Sequence, residues 1–213
     1  MRGNNVPSPP AIFPLVNIET IRTGTILHRT HLSSFRAGQF NPGLGQQTRF
    51  APFSDGAGVC VPSLYAASNR EAAAYESIFH DVSPSAQFKT IRLGTVQSRS
   101  VSRISPNKNL SVACLYAPDL KAWGLARTNL IETSKATYQK TVLWAQALHS
   151  AHPQIGGLIW TSRQCDPERC IIFFGDRVQE TDFDVVDCID VSTSAALLIE
   201  LRNYGKRGGI TII

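Results

Sequence analysis

Val61-Pro-Ser-Leu-Tyr-Ala-Ala-Ser-Asn-Arg-Glu-Ala-Ala-Ala-Tyr-Glu-Ser-Ile-Phe-His-Asp81 decides how the rest of the chain is read. Its first part, up to Ala67, is short and largely apolar and predicts a strand. Ser68 followed by Glu71 has the spacing of a capping box, so a helix is expected from Asn69 to Asp81. Apolar residues cover most of that helix's circumference, which predicts burial. Glu76 then falls among Ala72, Ala73 and Phe79, where a carboxylate is costly unless something pairs with it. His80 sits one turn on, on nearly the same side. A core salt bridge and a functional carboxylate fit that placement equally well.

Towards the N-terminus, Gly24 to Thr30 alternates as a strand and carries Arg29 near its end. An arginine fork there suits a pyrophosphate, and an edge arginine reaching for water fits as well. Phe35 to Gly58 is dense in glycine and proline, so it reads as a long loop over a ligand. Residues 1–20 read as a surface extension, with regular structure from Ile21.

Towards the C-terminus, Phe88–Leu93 and Leu110–Leu115 read as strands, and Ser98–Ile104 as a weaker one. A helix is expected over Lys135–His149, where Tyr138, Val142, Ala145 and Leu148 recur at helical spacing. Ile155–Thr161 and Cys170–Phe174 are core strands joined by a polar turn. Ser162 closes the first of them, where a serine is usually a turn starter. An acidic stretch, Thr181–Asp190, leads to a last helix near Ser194–Tyr204. Mixed strands with few helices, not in strict alternation, indicate an α+β fold around a mixed sheet. The division is an extension at 1–20, a catalytic domain at 21–190, and a C-terminal helix and tail at 191–213 belonging to the same domain.

Composition narrows the class. The chain has 213 residues, 43% hydrophobic and 17% charged, enough for a sizeable core. A net charge of +5 permits an anionic partner, but the basic residues are dispersed, so direct nucleic-acid binding is not expected. The five cysteines are irregularly spaced and complete no zinc site, so no metal is expected. Neither a signal peptide nor an apolar membrane stretch is legible, which places the protein in the cytoplasm by expectation, away from membranes. P-loop, HExxH, GxSxG and GxGxxG motifs are missing.

Taken in order, Leu27-His-Arg29, Gln47-Thr-Arg49-Phe50, Pro62-Ser-Leu-Tyr65-Ala-Ala, Ala72-Ala-Ala-Tyr-Glu76 with His80, and Gly157-Leu-Ile-Trp-Thr-Ser162-Arg163 resemble the RES domain, named for an arginine, a glutamate and a serine. The resemblance spans roughly Ile21 to Phe174. It implies an ADP-ribosyltransferase-like fold with NAD, as substrate and not as prosthetic group, in a cleft between sheet and helix. It implies cleavage of the nicotinamide–ribose bond by phosphorolysis or hydrolysis, with inorganic phosphate or water as the second reactant. Arg29, Glu76 and Ser162 match the catalytic trio, and Arg49 and Tyr65 match positions lining the NAD site. The chain departs from the family's Gly-Gly-Arg-Trp-Asn stretch: at Gln47-Thr-Arg49-Phe-Ala the arginine and an aromatic are kept, while the glycines and asparagine are gone. The family role is the toxin of a toxin–antitoxin pair, with a helix-turn-helix-type antitoxin as partner.

Two other readings stay open. A protein ADP-ribosyltransferase would share the NAD site, although Ala74 stands where many such enzymes place a second glutamate. A non-catalytic nucleic-acid or protein-binding module is the other.

Overall fold

The computed structural model describes residues 6–213 and is α+β. In chain order the elements are β1 (Ile18–Ile21), β2 (Leu27–Leu32), β3 (Ser63–Ala67), α1 (Arg70–Tyr75), β4 (Thr90–Ile91), α2 (Leu93–Gln97), β5 (Arg99–Pro106) and β6 (Leu110–Cys114). Then follow α3 (Ala117–Ala122), α4 (Arg127–Leu130), α5 (Tyr138–Ala151), β7 (Gly157–Thr161), β8 (Arg169–Phe174), β9 (Phe183–Asp190), α6 (Ala195–Arg207) and β10 (Thr211–Ile212). Eight strands form one mixed sheet in the order β1-β6-β7-β8-β3-β2-β5-β9, while β4 and β10 pair separately. Within the large sheet β6 and β7 run parallel and the other neighbours are antiparallel.

The two faces of the sheet are covered differently. One face carries Ala67, Val101, Trp160, Ile172 and Phe174, and α1, α3, α5 and α6 pack their apolar residues against it. The other face carries Leu27, Leu64, Ile104, Ile159 and Phe173 and is closed by Ala37, Val178 and Phe183. Strands β7 and β8 lie between neighbours with both faces covered. Their unbroken apolar runs, Gly157-Leu-Ile-Trp and Cys170-Ile-Ile-Phe-Phe, follow from that position.

Several local expectations are corrected. The helix after β3 spans six residues, not thirteen, and leaves Glu76 as its C-terminal cap. Its N-cap is Asn69, whose side chain accepts from the Ala72 amide, while Ser68 is drawn across to Glu168 and the Arg169 backbone. Ile78 and Phe79 are buried as expected, but in an irregular turn, with Ser77 donating its hydroxyl back to the Ala73 carbonyl.

Strand β5, expected to be weak, is eight residues long. Its inward Ser100 and Ser102 masked the pattern, because they bond Ser33 and His31 in place of burying apolar surface. The acidic stretch became β9, an edge strand whose Asp184, Asp187 and Asp190 leave the sheet edge charged. Of the strand expected over Phe88–Leu93 only Thr90–Ile91 forms, and Leu93 opens α2.

Regular structure begins at Ile18, where β1 pairs with β6. The segment before it is anchored at a few points and otherwise lies on the surface: Val6 and Val16 are buried, Phe13 meets Trp123 and Trp144 edge-on, and the Trp144 indole donates to the Pro7 carbonyl, while Ile12 and Leu15 are exposed. The first five residues of the expected extension lie outside the described residues. No helix among the described residues is long and apolar enough to cross a membrane.

Candidate active site

A cavity of about 370 Å³ opens on the helix-covered side of the sheet, bordered by β2, β3, the end of α1, the loop before Pro52 and the start of α5. Glu76, Arg49, Tyr65, Tyr138 and Trp160 line it.

Glu76 reaches this wall because α1 ends one residue before it, and β7 ends opposite. The Ser162 hydroxyl donates to Glu76 Oε1 at 2.7 Å, and the Arg163 backbone N–H donates to the same oxygen at 2.8 Å. Oε2 lies 3.7 Å from Arg49 Nη1, and the side chain keeps 13% exposure. One oxygen is thus anchored by two donors while the other remains on the cavity side. Ser162 is itself fully buried, accepts from the Gln164 and Cys165 amides, and is absent from the cavity lining. It orients the carboxylate from behind. Replacing it with alanine removes one donor from Glu76 and leaves two amides without an acceptor. A Ser162→Ala variant should lose about 1–3 kcal/mol in urea unfolding; an unchanged midpoint would contradict this role.

Arg49 is almost wholly buried, yet its Nε and Nη2 have no hydrogen-bond partner among the described residues. Its guanidinium lies 5.9 Å from the centre of the Tyr138 ring, and its carbonyl accepts from Thr141 Oγ1. Phe50 beside it is fully buried and meets Trp160 edge-on at 5.1 Å. The glycine-rich loop is therefore pinned to the core at this arginine and aromatic. Trp160, on the same cavity, has in Nε1 another buried donor without a partner among the described residues. Buried polar atoms are nearly always paired, so orphaned donors around a hollow mark where acceptor atoms of a ligand would sit.

Tyr65 lines the cavity with its ring, but its hydroxyl is engaged: it bonds Thr48 Oγ1 at 2.7 Å and accepts from the Phe50 amide at 3.2 Å. Burial pushes its phenol up to about 12, so it stays neutral and ties β3 to the loop.

Arg29 borders the same cavity without touching Glu76. Alternation along β2 sets it on the face of Leu27, opposite to Tyr65 and Trp160. Its guanidinium donates to the Ala37 carbonyl at 2.7 Å and to the Arg36 carbonyl at 3.4 Å. Burial lowers its pKa to about 10, which leaves it charged at neutral pH. The structure thus joins Glu76, Ser162 and Arg49 directly, adds Tyr65 through the loop, and leaves Arg29 as the clasp of the segment after β2.

His80, expected beside Glu76 on a shared helix face, is turned elsewhere because the helix has ended. Its Nδ1 bonds Asp81 and its Nε2 bonds the Tyr138 hydroxyl at 3.0 Å. Tyr138 and Trp160 were legible only as core spacing. The Arg163 backbone donor had no signal in the sequence, because any residue supplies an N–H.

The family model for the RES domain matches residues 26–191, well over half of the chain. This chain belongs to the RES-domain family. Arg29, Arg49, Tyr65, Glu76 and Ser162 all fall inside the matched segment of the RES domain. No individually curated protein matches this chain.

Proposed function

We propose that this RES domain cleaves the nicotinamide–ribose bond of NAD, and that its fold is related to that of ADP-ribosyltransferases. The observation that carries this reading is Glu76, held through Oε1 by Ser162 and Arg163 with Oε2 left at the cavity. Nicotinamide leaves a cationic pyridinium as a neutral base, taking the electron pair of the C–N bond. Positive charge then builds on the ribose, as in glycoside cleavage. A fixed carboxylate oxygen beside that ribose stabilises the charge as it develops.

The unpaired N–H groups of Arg49 and Trp160 are donors for ribose or phosphate oxygens, and the Tyr65 ring is a packing surface for the nicotinamide ribose. Water or inorganic phosphate forms the new bond to the ribose carbon as the base departs. Ser162 acts here as a positioning residue, so Ser162→Ala should lower kcat with little change in KM for NAD. Transfer to an arginine side chain is disfavoured because Ala74, fully buried, stands where a second glutamate would be.

In this reading the protein is the toxin of a type II toxin–antitoxin pair, acting in the cytoplasm. A helix-turn-helix-type antitoxin would restrain it by covering the cavity mouth. The test is product analysis after adding NAD, with and without inorganic phosphate. Hydrolysis gives nicotinamide and ADP-ribose; phosphorolysis gives nicotinamide and ADP-ribose 1″-phosphate. NAD left intact in both mixtures would overturn the proposal.

A further inference from the structure

We propose that the cavity contains a second subsite, built on β2 and β5 from His28, Thr30 and Arg99, that binds a phosphoryl group. The inference rests on the reading that the cavity takes a dinucleotide, and it names residues outside the Glu76 cluster.

In the β2–β5 register, His28 lies opposite Arg103, Thr30 opposite Val101, and Leu32 opposite Arg99. Side chains at these positions share one face of the sheet. Val101 packs into the same cluster as Tyr65 and Trp160, so this is the face that carries the cavity. His28, Thr30 and Arg99 all line that cavity. Three of their polar atoms, His28 Nδ1, Thr30 Oγ1 and Arg99 Nε, are buried and have no hydrogen-bond partner among the described residues. Three such atoms on neighbouring positions of one wall are hard to explain as chance in a packed protein.

The charge balance is also uneven here. Arg29 is committed to loop carbonyls, Arg70 pairs with Glu200, Arg103 with Asp187, and Arg49 faces Glu76. Arg99 has no carboxylate within ion-pair distance among the described residues, and burial lowers its pKa without any compensating acid. A half-buried guanidinium whose Nε is buried and which has no counter-charge is stabilised by an anion that brings its own oxygens. The pKa of His28 is lowered by burial, then by Arg70 and Arg103, so it stays neutral and can donate or accept through Nδ1. One cation with two neutral hydrogen-bonding groups is a donor set for a phosphoryl group.

Strands β3 and β5 are separated by two interstrand spacings, roughly 10 Å. Arg99 on β5 therefore lies apart from the Tyr65 wall proposed for the reacting ribose, with His28 and Thr30 on the strand between them. Its phosphoryl group has two possible sources, the pyrophosphate of the dinucleotide or a free inorganic phosphate.

The experiment is calorimetric titration of the full chain with ADP, inorganic phosphate and adenosine, using wild type, Arg99→Gln, Arg99→Lys and Thr30→Val. Folding of each variant is checked by circular dichroism. Loss of a charge-assisted contact predicts about 10- to 100-fold weaker phosphoryl binding in Arg99→Gln. Adenosine affinity should stay within about twofold, and Arg99→Lys should recover part of the loss. If only ADP weakens, the subsite holds the dinucleotide's pyrophosphate; if inorganic phosphate weakens as well, it takes the free ion. Should Arg99→Gln not fold, Arg99→Lys and Thr30→Val ask the same question with smaller changes. No binding of either phosphoryl probe to wild type, or unchanged affinities in the folded variants, overturns the subsite. Nicotinamide release from NAD by wild type is read separately. Its failure sinks the proposed reaction while Arg99-dependent ADP binding would still uphold the subsite, and the converse holds.

Discussion

A Glu76→Gln variant is expected to cleave NAD about 10³-fold more slowly than wild type while remaining folded. Glutamine keeps an oxygen for the Ser162 hydroxyl and the Arg163 amide, so the local hydrogen bonds at Oε1 can survive. What changes is the cavity side, where a carboxylate oxygen 3.7 Å from Arg49 is replaced by a neutral amide group. The ribose cation then develops without its counter-charge. A far-ultraviolet spectrum like that of wild type, with nicotinamide release reduced to a trace, is the expected pair of results. Activity within threefold of wild type would remove Glu76 from the chemistry.

The largest loss of stability is expected from Gly157→Ala. A methyl group built on Gly157 would meet the Ile172 carbonyl oxygen at 2.1 Å and the Phe173 Cα at 3.2 Å. Both are backbone atoms of β8, which pairs with β7 at this point, so neither can step aside without moving a strand. Gly157 also pairs with Val112 on β6, which blocks the opposite escape. The cost should be about 3 kcal/mol or more, at the upper end of overpacking penalties. Because β7 delivers Trp160 and, just beyond its end, Ser162, the same change should also disorganise Glu76. A urea midpoint close to wild type would contradict the packing described for the sheet centre.

Much of the sheet was legible because its central strands are apolar throughout. Leu158-Ile-Trp and Ile171-Ile-Phe-Phe admit few environments other than a strand covered on both faces. The α5 helix followed from spacing, and the α+β class from the mixed order of strands and helices. Where the reading went astray, polar side chains had partners that lie far away in sequence. Ser100 and Ser102 satisfy Ser33 and His31, and Ser68 satisfies Glu168, which no local pattern reveals.

The helix through Asp81 was overextended because Ile78 and Phe79 are buried either way, so hydrophobic periodicity does not register where the helix ends. At the site, Glu76 stood out as a carboxylate in an apolar setting, and Ser162 gained meaning only when β7 was folded against α1. The orphaned donors of Arg49, Trp160 and Arg99 depend on packing and have no sequence signature.

The most direct test of the central claim is a crystal structure of the Glu76→Gln variant soaked with NAD. The account predicts unbroken NAD in the cavity, its nicotinamide ribose against residue 76 and its ring system beside Tyr65 and Trp160. NAD bound elsewhere on the protein, or an empty cavity at saturating NAD, would contradict it.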